Sequence, residues 1–111
     1  MQPNAIQTLF AVIALVLSAA PAAAAQVGNA ERGLKVARVQ CAACHLIGKE
    51  KGRSTNEMAP TFAKIANTPG MTAAALRIAL NSSHRSMPNL IVKDGDADSI
   101  IAYILSLRDS Q

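Results

Sequence analysis

Cys41-Ala42-Ala43-Cys44-His45 sets two thiols three residues apart, with an imidazole directly after the second. They are the only two cysteines in a chain of 111 residues. Each thiol can add to one vinyl group of a porphyrin, so the pattern is that of covalent haem attachment through two thioether bonds. On a helical turn, residues three apart share a face, and both sulfurs then reach one edge of the ring. His45 follows at once and can offer a ring nitrogen to the iron.

Three other chemistries use such a cysteine pair. A thioredoxin-like redox motif belongs in a strand–helix setting, and no strand pattern is present. A zinc site needs about four ligands, whereas the pair with the one remaining histidine makes a three-residue set at best, and there is no second cysteine pair. A structural disulfide suits an exported protein. The complete five-residue motif favours the haem, one per chain.

An iron held by one histidine has a second axial position. Met58, Met71, Met87 and His84 are the candidates. A thioether is soft and neutral, favours Fe(II) over Fe(III), and raises the reduction potential. Met87, in Ser86-Met87-Pro88, stands on an irregular stretch between two expected helices and is the expected ligand. Met58 follows His45 by a short segment that leaves less chain to wrap a porphyrin, and Met71 follows a turn and reads as the start of a helix. His84 is the rival, and would give a bis-histidine site of lower potential.

The elements that must position these residues all read as helices. Asn29 is a good N-cap with Glu31 in the first turn, so a helix is expected to run to about Gln40 and deliver the chain into the cysteine motif. Gly33 lies inside it, at a cost of about 1 kcal/mol relative to Ala; close contact with another helix would explain it. Gly48 to Asn56 is polar and reads as a loop. Pro60 can open a short helix over Phe62 to Ala66, and Thr68-Pro69-Gly70 is a turn. Thr72 can cap a helix from Ala73 to about Asn81 with Leu76, Ile78 and Leu80 as its large apolar residues. Asp96 or Asp98 can start a final helix on which Ile100, Tyr103, Ile104 and Leu107 share one face. The Asp94-Gly95-Asp96-Ala97-Asp98 run is not a calcium loop, since position six from Asp94 is Ser99 and position twelve is Leu105; its acids are expected to cap the final helix. Asn81-Ser82-Ser83 matches a glycosylation sequon, a pattern short enough to recur by chance.

Leu9 to Ala20 is an apolar run of export-signal length, ended by Pro21 and followed by the small residues Ala23-Ala24-Ala25. Residues 1–25 are therefore expected to be an export leader, cleaved before Gln26, with residues 26–111 as one domain. Met1 to Gln7 carries no Lys or Arg, which leaves a retained anchor as the alternative. In a bacterium the domain would sit in the periplasm. All 11 Lys and Arg and all 7 Asp and Glu lie after residue 25, giving +4. No dense basic run or set of stacking aromatics points to nucleic acid. Residues 26–111 contain only Phe62 and Tyr103 as aromatics, so a haem burying several hundred Å² at about 25 cal/mol per Å² would supply much of the core, on the order of 10 kcal/mol gross. A chain without it is expected to be unfolded or molten.

Together these residues resemble a small class I cytochrome c: an N-terminal helix, Cys41-Ala42-Ala43-Cys44-His45, Pro60, then Met87-Pro88 and a C-terminal amphipathic helix. The resemblance implies an all-α fold of about four to five helices wrapped around one covalent haem c. It implies that Pro60 offers its carbonyl to the outer ring nitrogen of His45, and that Gly33 packs at a crossing with Tyr103. Maturation on the export side of a membrane also fits. Ala37 departs from the aromatic that the family often carries near that crossing, and there is no Trp for a propionate. The implied function is a one-electron carrier, not an enzyme, serving redox partner proteins through transient docking, with Lys49, Lys51, Arg53 and Arg85 as candidate steering charges. A dedicated haem subunit of a dehydrogenase is the alternative. A haem peroxidase or gas-binding protein would need a displaceable sixth ligand, and only His84 offers acid–base chemistry beside Met87.

Overall fold

The computed structural model describes residues 27–82 and 86–109. The expected leader, His84 and Arg85 lie outside the described residues. Four helices are present and, among the described residues, no strand: α1, Ala30–Gln40; α2, Phe62–Ala66; α3, Ala73–Asn81; and α4, Asp94–Ser106. None of them is long and apolar enough to cross a membrane.

Short polar side chains start three of the four helices by accepting an otherwise unpaired amide of the first turn. Asn29 Oδ1 accepts from Arg32 N at 2.8 Å, Thr61 Oγ1 from Lys64 N at 3.1 Å, and Thr72 Oγ1 from Ala75 N at 3.1 Å. Pro60 thus precedes the cap of α2 rather than opening the helix itself. Between α2 and α3, Met71 N donates to Thr68 O at 3.0 Å and Gly70 has φ +75°. Pro at the second position and a left-handed Gly at the third are what a type II turn demands.

The final helix differs from its expected start. It begins at Asp94, Lys93 occupies the cap position, and no side chain caps it. All three acids lie within the helix, and two of them pair outward instead. Asp96 Oδ1 accepts from Arg32 Nε at 2.9 Å and Nη2 at 2.7 Å, and Asp98 pairs with the Arg77 guanidinium. Asp94 and Asp96 still oppose the positive end of the helix dipole. The acids therefore tie α4 to α1 and to α3 rather than closing its end.

α4 is the hub. Its largest contact is with α1, and smaller ones join it to α3 and α2. Ile100, Tyr103, Ile104 and Leu107 are buried as their spacing requires, and so are Ala97, Ser99, Ile101 and Ala102. The buried surface is wider than one stripe because helices meet α4 on more than one side. Each Ile or Leu so buried contributes about 1.5–3 kcal/mol, whereas an exposed ion pair such as Arg32–Asp96 contributes under about 1 kcal/mol. Apolar packing therefore holds the helices, and the ion pairs set their register. Leu76 carries the packing of α3, but Ile78 points outward, 67% exposed.

The α1–α4 crossing has no room for a side chain at Gly33. A Cβ there would run into the Ser99 carbonyl and lie 2.8 Å from Tyr103 Cβ. Gly28, with φ +101°, makes a similar approach to the Asp98 carbonyl. Two terminal ties complete the shell: Arg108 donates to Ala66 O at 3.2 Å and Met71 O at 2.7 Å, and Asp109 N donates to Asn67 Oδ1 at 3.0 Å. Gly33→Ala is expected to destabilise the protein by about 1–3 kcal/mol, despite the higher helix propensity of Ala. Denaturant unfolding measures it, and an unchanged or raised midpoint contradicts the close-contact account.

Candidate functional site

α1 ends directly in the cysteine motif. Cys41 N and Ala42 N both donate to Ala37 O, at 2.8 and 3.0 Å, and then Cys44 N and His45 N both donate to Cys41 O, at 3.1 and 2.9 Å. The result is one tight turn whose start is fixed by a packed helix. Cys41 is buried, Cys44 is half-buried, and the two thiols are not bonded to each other. Burial raises the pKa of the Cys41 thiol above its ordinary value, so it is neutral at pH 7 before alkylation. A thioether has no such titration.

The chain returns to the turn at once. His45 Nδ1 lies 2.7 Å from Pro60 O. A carbonyl only accepts, so the proton sits on Nδ1. Nε2 is then the bare nitrogen, with its lone pair free to bind a metal. Pro60 is the residue that the family resemblance singled out for this contact. Rings back the imidazole: His45 and Phe62 centroids are 5.4 Å apart at 51°, and Phe62 and Tyr103 are 6.4 Å apart at 54°. Such tilted contacts stabilise aromatic pairs. Tyr103 Oη donates to Ile47 O at 2.8 Å, carrying the helix hub to the segment just beyond the histidine. Burial chiefly, and the Glu50 carboxylate next, raise the Tyr103 pKa, with Arg38 opposing; the phenol stays protonated and keeps donating.

Several of these contacts had no signal in the sequence. Ser54 and Asn56 read only as polar loop, yet Ser54 Oγ accepts from Leu46 N at 3.0 Å and Asn56 N donates to Cys44 O at 3.1 Å. Phe62 N donates to Leu46 O at 2.9 Å. A long loop that folds back on its own start leaves no periodicity to read.

The structure thus brings Cys41, Cys44, His45 and Pro60 together. Met87 is half-buried on the irregular stretch between α3 and α4. Met58 is 58% exposed, and Met71 packs against the core. Lys49, Lys51 and Arg53 are exposed on the loop after His45. Among the described residues, no group of three or more His, Cys, Asp and Glu is placed to hold a metal by itself. The absence of strands among those residues leaves a thioredoxin-like motif without its setting. The remaining chemistry suits a haem: two free thiols on one turn, a histidine whose tautomer is set by a carbonyl, and an apolar backing behind it.

A cytochrome c family model matches residues 30–108. The chain is 32% identical over 97 residues to cytochrome c-552 of Bradyrhizobium diazoefficiens, an alignment covering 87% of this chain and 89% of that protein. No solved structure matches it significantly. The turn, the histidine and the helical frame around them agree with both findings, and the chain belongs to the cytochrome c family as a small class I electron-carrier cytochrome with a covalent c-type haem.

Proposed function

We propose that this cytochrome is a periplasmic electron carrier with His45 and Met87 as axial ligands and with residues 1–25 as its export leader. Residues 26–111 are then the single haem domain. The observation that carries this reading is the 2.7 Å approach of His45 Nδ1 to Pro60 O, which leaves Nε2 as the nitrogen that can donate to a metal. When bound, the haem supplies a one-electron Fe(III)/Fe(II) couple.

The residues divide the remaining tasks. Cys41 and Cys44 hold the group by thioether bonds, so it cannot be lost on reduction or oxidation. Pro60 O keeps the proton on Nδ1 and so fixes both ring orientation and donor strength. The Met87 thioether favours the reduced state. Its half-buried position on the α3–α4 connection supports that role, whereas the exposure of Met58 and the core packing of Met71 disfavour theirs. Two strong ligands on a rigid frame leave no coordination site for substrate. Docking to redox partners is then transient, steered by Lys49, Lys51 and Arg53 toward an acidic surface.

Three outcomes test this reading. The oxidised wild-type protein should show the weak sulfur-to-iron absorption near the red edge of the visible spectrum. Met87→Ala should abolish that band, lower the midpoint potential and admit CO rapidly to the reduced form. A band absent from wild type but present in His84→Ala assigns the ligand to His84 instead. Reduction rates with an acidic donor should fall about tenfold or more between low and high salt, and a flat salt profile removes the steering role. Finally, a Cys41→Ala/Cys44→Ala protein is expected to lack a cooperative unfolding transition; a sharp haem-free transition shows that the helices suffice alone.

A further inference from the structure

Ser54 is buried, 8% exposed, within a loop whose neighbours Gly52, Arg53 and Thr55 are exposed. Its hydroxyl meets the backbone at one point, the Leu46 amide, at 3.0 Å. That amide belongs to the peptide unit that follows His45.

The peptide units on the two sides of the histidine are held differently. The preceding unit is tied at both ends: Cys44 O accepts from Asn56 N at 3.1 Å, and His45 N donates to Cys41 O at 2.9 Å. Both ties are backbone bonds within the turn and its returning loop. The following unit is tied through Leu46 N, and the acceptor is a side chain. A peptide unit is planar, so orienting both units sets the two backbone dihedrals of the residue between them. Those dihedrals, with the Nδ1–Pro60 bond, direct the imidazole ring. The ring's orientation in turn governs how its donor orbital meets a metal, which is a lever on reduction potential.

We infer that Ser54 is a positioning residue for the axial histidine: by accepting the Leu46 amide it fixes the peptide after His45 and thereby the aim of the imidazole. The loop Gly48–Pro60 then acts as a strap making three successive contacts on residues 44–46, through Ser54, Asn56 and Pro60. Removing the hydroxyl frees one side of the histidine backbone and leaves a partly buried donor without its acceptor.

The inference rests on His45 ligation, so the experiment reads the two separately. The haem-loaded full chain is studied as wild type, Ser54→Ala and Ser54→Thr. The readouts are proton NMR of the oxidised state, optical redox titration and amide hydrogen exchange. The spread of haem-methyl resonances reports the orientation of an axial imidazole. Ser54→Ala is expected to speed exchange at Leu46 about tenfold or more, to alter the methyl pattern and to shift the midpoint potential. Ser54→Thr, which keeps a hydroxyl acceptor, should restore all three. A Ser54→Ala protein that melts earlier but keeps the wild-type methyl pattern and midpoint overturns the inference, since the serine is then only a loop anchor. Should that variant not accumulate, wild type still decides: a Leu46 amide exchanging as fast as an open loop also overturns it. An oxidised wild type with no imidazole-bound signature sinks the ligation itself, whereas a normal signature with unresponsive variants sinks only the role of Ser54.

Discussion

Two helix backbones meet at Gly33 without a side chain between them, and most of the fold follows from that contact. The approach lets α4 lie against α1 closely enough for Ser99 and Tyr103 to pack on it. α4 then offers its remaining surface to α2 and α3. Because α1 runs straight into Cys41, the crossing also sets where the thiols stand. A glycine that is unfavourable for an isolated helix is favourable here, since the apolar area gained along the crossing exceeds its cost of about 1 kcal/mol.

From that crossing, the frame reaches the histidine by two routes. One is covalent and local, through the end of α1 and the two amides that converge on Cys41 O. The other runs through the hub, from Tyr103 to Phe62 to the imidazole by ring contact and from Tyr103 Oη to Ile47 O by a hydrogen bond. An electron carrier benefits from such double support. Any movement of ligands between oxidation states must be repaid thermally at each transfer, and a side chain held from front and back moves little.

Charge and apolar burial have separate places in this molecule. The carboxylates of α4 pair with Arg32 and Arg77 and set helix register. The cations Lys49, Lys51 and Arg53 stand exposed on the loop that follows the histidine. The core itself is short of large aromatics, and a covalent porphyrin fits that deficit: a domain this small otherwise buries too little surface to offset its chain entropy.

Local chemistry was legible from residues near in sequence. Asn29 and Thr72 cap the helices that follow them, Pro69-Gly70 makes its turn, and Ile100, Tyr103, Ile104 and Leu107 are buried as their period requires. The cysteine motif named its own cofactor, because thioether attachment depends on a spacing within one turn. Long-range partners were not legible. The acids of α4 looked like caps, since a sequence shows a carboxylate near a helix start but not the arginine 64 residues away that claims it. Ile78 stood out only as a large apolar residue of its helix, and the sequence does not say whether another helix faces it; in the fold it is exposed. Ser54 looked like loop because its partner, a backbone amide, has no sequence signature. The sequence alone therefore determined the helices and the haem chemistry, both short-range properties of the chain. Tertiary structure decided which carboxylates bridge helices and which serine reaches the turn, because each of those depends on distances set only when the elements pack.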